Sequence, residues 1–258
     1  MLHSDTHART LRACPLAAEA VWLSRHVYIC QMGSSFIVLN VARDEYLCVT
    51  GSAAQCLSAW LLGWPEFEPP NEVMSTPVSH DEASTVIADL IAQGVLTKRE
   101  ADARKTMLPW REPSTASRAI DHNNPSSLRI QCSDIIAFLT SLASAAAALR
   151  FRSLRSALDS LETRKARHGR YQEFDVERTS DLIAIFRRLR SFTFSGHRRC
   201  LFHALALMRF LSYYGIYPDF VMGVKVEPWA AHSWVEYGDY VLDATPEQVR
   251  FYRPILVI

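Results

Sequence analysis

The stretch Cys200-Leu201-Phe202-His203-Ala204-Leu205-Ala206-Leu207, followed by Val221-Met222-Gly223-Val224, by Pro228-Trp229-Ala230-Ala231-His232-Ser233-Trp234-Val235-Glu236 and by Asp243-Ala244-Thr245, decides the fold. Cys200 starts an apolar-periodic run that reads as a helix to about Tyr214, with Gly215 as its stop. At a helix start the unsatisfied N–H groups and the helix dipole favour a thiolate, the nucleophilic form of cysteine. Arg198 and Arg199 add positive charge beside it. His232 begins a strand, Ala231 to Tyr237, and Gly238-Asp239 reads as a two-residue hairpin loop. That loop pairs Tyr237 with Tyr240, Val235 with Leu242 and Trp234 with Asp243. Side chains alternate along strands, so His232, Trp234 and Asp243 share a face, with Asp243 diagonal to His232 at about 7 to 8 Å. Asp239 in the turn and Glu236 farther along are poorer partners. A one-residue slip would move Asp243 to the other face.

A helix-start cysteine, a strand histidine and a neighbouring aspartate form a nucleophile, base and orienting acid. His232 takes the thiol proton and later gives it to a leaving amine. Asp243 fixes the imidazole tautomer. The Cys200 N–H is the natural first oxyanion donor. From spacing alone, a set of ordinary core residues stays open as the alternative.

Working toward the N-terminus, Glu177 to Arg190 reads as a helix. Helical character also runs from Ser133, with a break, through the basic stretch Arg150 to Arg170, read as a solvated face. The most apolar run, Ile135 to Leu149, falls short of the roughly 20 residues of a membrane span and reads as a buried helix. Pro109, Pro113, Pro125 and Asn123-Asn124 mark a linker. Before it, Val27–Gln31, Ser35–Val41 and Glu45–Thr50 read as three strands joined by Met32-Gly33-Ser34 and Arg43-Asp44. Helices follow at Ala53–Leu62 and from Asp81 or Ser84 to Gln93, with Gly94 as a stop. Strands are also expected at Phe220–Val226 and Tyr240–Ala244. Trp229 and Trp234 read as core or pocket wall.

With 49% hydrophobic and 21% charged residues in 258, the composition is that of a globular protein of one or two domains. A net charge of +1 argues against a dedicated nucleic-acid binder. Residues 20–100 hold 4 Lys+Arg against 9 Asp+Glu, and residues 126–258 hold 18 against 13, so the two halves differ in sign and are expected to attract. The six cysteines contain no CxxC pair and read as mostly buried free thiols in a reducing compartment, with no metal site. No targeting segment is visible at the N-terminus, so a cytoplasmic location and no membrane span are expected.

The order helix-Cys, strand-His, strand-Asp resembles the transglutaminase-like fold of papain-type cysteine hydrolases. Cys200 to Leu207, Tyr214-Gly215-Ile216, Val221 to Val224 and Pro228 to Glu236 resemble the lasso-peptide biosynthesis B proteins, leader peptidases of ribosomally made, threaded peptides. On that resemblance Cys200, His232 and Asp243 take the catalytic roles. His203 stands where many relatives carry Arg, and Ala244-Thr245-Pro246 is closer to the broader transglutaminase pattern. The resemblance implies two partners, a precursor peptide bound through its leader and an asparagine-synthetase-like cyclase. No cofactor is expected. The family is associated with ATP dependence of maturation, yet the chain has no P-loop. In the first half, Phe36-Ile37-Val38-Leu39-Asn40 and Asp44-Glu45-Tyr46-Leu47 resemble the RiPP recognition element, a small winged-helix-like module that binds a leader as an added strand. This implies a peptide-binding edge at Glu45, Tyr46, Leu47 and Cys48, and a groove beside the helix Ser84–Gln93 with Ile87 and Leu90.

The expected fold is therefore α+β: a tail at 1–19, a winged-helix-like leader-binding domain at 20–103, a linker at 104–125 and a transglutaminase- or papain-like cysteine peptidase domain at 126–258. The expected function is cleavage of a lasso precursor at its leader–core junction. The competing readings are a transglutaminase-like acyltransferase and a non-catalytic peptide-binding scaffold.

Overall fold

A computed structural model describes residues 21–33, 35–58, 79–103, 118–120, 129–151, 153–168, 175–191 and 200–258. The tail at 1–19 with Cys14, the part of the expected helix Ala53–Leu62 beyond residue 58, most of the linker, and Ser195 to Arg199 lie outside the described residues. The chain divides into two compact units, Met1–Arg111 and Glu112–Ile258.

In the first unit, β1 (Trp22–Leu23) pairs with β5 (Leu96–Thr97). The expected meander is present as β2 (Val27–Met32), β3 (Ser35–Asn40) and β4 (Glu45–Val49), antiparallel in the order β2-β3-β4. The turns need left-handed backbone at Gly33 (φ +62°) and Asp44 (φ +57°). The β3–β4 corner is held by buried Asn40, whose Oδ1 accepts from the N–H groups of Ala42 and Arg43 at 3.2 and 3.3 Å. The helices are α1 (Gly51–Ser58) and α2 (His80–Ala92). Ser79 Oγ caps α2 by accepting from Glu82 N–H at 3.3 Å. Gly94 (φ +73°) ends it: Gly94 N–H donates to Ile91 O and Val95 N–H to Leu90 O, both at 2.9 Å. Val27, Ile29, Phe36, Val38, Leu57, Ile87, Leu90 and Val95 form one buried cluster between sheet and helices.

The second unit holds α3 (Cys132–Phe151), α4 (Leu154–His168), α5 (Val176–Ser191) and α6 (Cys200–Tyr213). Its sheet has the order β10-β7-β8-β9-β6, where β6 is Arg118–Ala119, β7 Asp219–Lys225, β8 Ala230–Tyr237, β9 Tyr240–Val241 and β10 Arg253–Val257. A short helix, α7 (Pro246–Val249), precedes β10. Helix α6 packs on α3 and β8. Phe138, Phe186 and Phe210 join α3, α5 and α6, with successive ring centroids 5.3 Å apart. Tyr214 Oη, just past α6, donates to buried Asp134 at the start of α3 at 2.6 Å. Lys165 of α4 pairs with Asp219 at the start of β7.

Several expectations change. Arg118–Ala119, inside the stretch read as linker, is an edge strand parallel to β9. Its Arg118 N–H donates to Asp239 O at 3.1 Å, so the sheet edge, not local propensity, makes it a strand. Strand β10 carries Pro254, tolerated because β10 is an edge with an irregular register there. Helix α3 is buried only on one side, through Ala137, Phe138, Ser141, Leu142 and Ala145, while Ile136 and Leu139 are 63% and 53% exposed. At 20 residues it is, by length and composition, long and apolar enough to cross a membrane. Cys48 and Cys132 are exposed rather than buried: Cys48 faces outward on β4 and Cys132 opens α3. Trp229 is exposed on the β7–β8 turn, whereas Trp234 is fully buried.

Candidate active site

Cys200 is the first residue of α6 and is half-buried. Burial pushes its thiol up, but hydrogen bonding by His232, helped by the main chain of Ser233 and by the charge on the imidazole, outweighs this and brings it down to about 7. The Cys200 thiol and the His232 imidazole are thus brought together. The thiol thereby has a value at which the anion is well populated near neutral pH.

His232 sits near the start of β8, paired with Gly223 of β7. Its ring lies nearly parallel to the Trp234 indole, with centroids 5.9 Å apart at 19°, and packs on Tyr252 at 5.3 Å. The Trp234 indole is itself fixed. A Cβ on Gly223 would lie 2.5 Å from Trp234 Cη2 and 2.8 Å from Cζ3, so the missing side chain is what admits the ring. At its other end Trp234 Nε1 donates to the buried Glu236 carboxylate at 2.6 Å. Glu236 thus anchors the indole.

The Gly238-Asp239 loop gives the expected register, Tyr237 opposite Tyr240, with Glu236 opposite Val241. Gly238 has φ +54° and Asp239 is not left-handed, as a type II′ loop requires. Beyond Val241 the ladder continues through one bond, Leu242 N–H to Val235 O at 2.8 Å. The return bond is missing. Val235 N–H donates instead to Asp243 Oδ1 at 2.8 Å. The freed Leu242 carbonyl accepts from Arg187 Nη2 of α5 at 3.1 Å. The strand stops short of the expected Ala244 because a carboxylate has entered the ladder. Asp243 is within electrostatic reach of His232, but no hydrogen bond joins them. Burial pushes its carboxyl up to about 6, against the opposing pull of the Val235 N–H, His232 and Arg187.

Residues 139–257 match the family model described as the transglutaminase-like superfamily. No curated protein and no solved structure matches the chain. This transglutaminase-like domain contains Cys200, His232 and Asp243, and its superfamily consists typically of cysteine-based enzymes, peptidases or acyltransferases. Among the described residues no three His, Cys, Asp or Glu side chains are grouped to hold a metal ion.

In the first unit, β4 pairs only with β3 among the described strands, so Glu45–Val49 lies at a sheet edge. Glu45 and Cys48 are exposed, Tyr46 and Leu47 half-buried. Ile87 and Leu90 are 6% and 3% exposed and belong to the core between α2 and the sheet. Half-buried Leu47, Val86 and Ile91 pack at its margin instead. Sequence reading missed Arg187, Gly223 and Tyr252. Only Gly223 left a signal, as a glycine inside an apolar strand marks a close approach.

Proposed function

We propose that the chain is a cysteine peptidase that removes the leader from a ribosomally made lasso precursor. The observation that carries the chemistry is the thiol at the start of α6, hydrogen-bonded by His232 and brought down to about 7. Cys200 Sγ attacks the carbonyl at the leader–core junction while its proton passes to His232. The tetrahedral oxyanion forms beside the N–H groups of the first turn of α6. The C–N bond breaks, His232 gives its proton to the core amine, and the leader stays as a thioester. Water, deprotonated by His232, then releases the leader as a carboxylate. The free core amine is the nucleophile that a partner cyclase needs for macrolactam formation. Sequence resemblance supports the lasso assignment, and the transglutaminase-like match supports the cysteine chemistry.

The β4 edge, Glu45 to Cys48, is proposed to take the leader as an added strand, with Leu47, Val86 and Ile91 beside it. The site of action is proposed to be the cytoplasm, where precursors are made. The test is incubation of the full chain with the precursor encoded beside its gene, followed by mass spectrometry. Leader and core must appear as separate products and vanish with Cys200→Ala. Products joined to an added amine would assign the chain to acyl transfer instead. Binding without either product would leave a scaffold.

A further inference from the structure

The exchange of hydrogen bonds at the end of the β8–β9 hairpin has a second member. An antiparallel pair of this kind makes two bonds, and Val235 and Leu242 make only one. Asp243 Oδ1 has taken the Val235 N–H, which leaves the Leu242 carbonyl without its strand partner. Leu242 is fully buried, and a buried carbonyl left unpaired costs free energy, so the exchange holds only if another donor arrives. The donor is Arg187, reaching across from the C-terminal half of α5.

We propose that Arg187 is a positioning residue of the candidate active site: by satisfying the Leu242 carbonyl it keeps the Asp243 carboxylate inserted beside Val235, where its charge faces His232. The proposal rests on the Cys200–His232–Asp243 reading. Arg187 touches no reacting atom and acts through Asp243. Its position supplies a hydrogen bond to the main chain and a positive charge near the carboxylate. The charged and titratable groups acting on Asp243 are His232 from β8 and Arg187 from α5. Arg190, nearly one turn on in α5, acts on Arg187 in the opposite sense to Asp243. Half-burial weakens solvent screening, so the fixed guanidinium matters more here than on a surface.

The test uses the full chain with Arg187→Met, Arg187→Gln and Arg187→Lys. The first removes donor and charge, the second charge alone, the third only the planar fork. Carbon-13 labelling of aspartate carboxyls reads Asp243 directly by NMR titration, with Asp243→Asn assigning the signal. The Asp243 midpoint is expected to rise by about one pH unit or more in Arg187→Met, and to return most of the way in Arg187→Lys. Alkylation of Cys200 by iodoacetamide is expected to fall several-fold near pH 6.5 in Arg187→Met and to match the parent at pH 8.5. A purely structural role would instead lower the rate equally at every pH, with no rescue by lysine. If Arg187→Met does not fold, Arg187→Gln carries the same comparison. An unchanged Asp243 midpoint in a folded variant overturns the proposal. The NMR titration does not depend on what the site cleaves, so failure of the peptidase reading is seen separately.

Discussion

The protonation of Cys200 is the sharpest quantity the structure offers, and alkylation by iodoacetamide reads it. A thiol at about 7, against 9.0 for an unperturbed one, is roughly half ionised at pH 7, where the unperturbed thiol is about 1% ionised. That ratio of about fifty overstates the gain, because a less basic thiolate is a weaker nucleophile. With a Brønsted slope of about 0.45, two pH units of lowered basicity cost about eight-fold in intrinsic rate. The net advantage is about six-fold at pH 7 and about ten-fold at pH 6. It crosses unity near pH 8 and becomes a disadvantage of about four-fold at pH 9. Half-burial lowers access by one factor at every pH, so the slope of the ratio is the diagnostic. Exposed Cys48 and Cys132 in the same chain serve as internal references for reagent and access. The assay is timed alkylation from pH 5.5 to 9.5, with the modified peptides quantified by mass spectrometry. His232→Ala should abolish the advantage. A Cys200 profile parallel to those of Cys48 and Cys132 across the pH range would refute the assignment of a thiolate held by His232.

His232→Ala should cut precursor cleavage nearly as far as Cys200→Ala, and Asp243→Asn less, because the acid acts on His232 through its charge and does not transfer the proton. Asp239→Asn should be neutral; steady-state cleavage rates for the four variants decide this, and an essential Asp239 would mean the hairpin register is wrong. Gly223→Ala should destabilise the fold by about 1–3 kcal/mol through overpacking, since its methyl meets the Trp234 ring at 2.5 Å and Tyr252 Cβ at 3.0 Å. Thermal melts should show the loss, and alkylation of Cys200 at pH 6.5 should fall as the indole beneath His232 shifts. A variant with unchanged melt and rate would show that the indole does not support the histidine.

How much of this was legible depends on whether the determinant is local. The Gly238-Asp239 loop encodes its own turn, so the pairing of Tyr237 with Tyr240 follows from two residues. The helix from Cys200 follows from apolar spacing and from Gly215, whose φ of +78° lets the chain turn off α6. The three-strand meander is read the same way from its turns. Local signals fail where a partner distant in sequence decides. Nothing near Asp243 announces that its side chain will replace a carbonyl in the ladder, because the replacement needs Arg187, on another helix. Tyr252 reaches His232 only after β10 has paired with β7, and Pro254 in β10 argues locally against a strand. Arg118–Ala119 become a strand because β9 offers a free edge. Ile87 and Leu90 show another limit: apolar residues on a helix face read alike as groove or core, and here the sheet covers them.

Asp243 also shows what the arrangement costs the fold. A carboxyl pushed up from 3.8 to about 6 binds its proton more tightly in the folded chain than in the unfolded one. Between those values the folded state holds more protons, so stability falls as pH rises from about 4 to about 6, and the loss is complete above that. The penalty at neutral pH is at most about 3 kcal/mol, the upper limit set by the two values. An asparagine keeps an oxygen for the Val235 N–H and carries no charge to bury. Asp243→Asn should therefore melt higher than the parent at pH 7 while cleaving more slowly, and the difference should shrink as pH falls and vanish only near pH 4 and below. Melting curves at pH 4.5, 6 and 7.5 separate this from a generic effect of the substitution, which would leave the difference constant with pH. A parent that is the more stable protein at pH 7.5 would show that the carboxylate is held there by favourable interactions, and not against the preference of the fold.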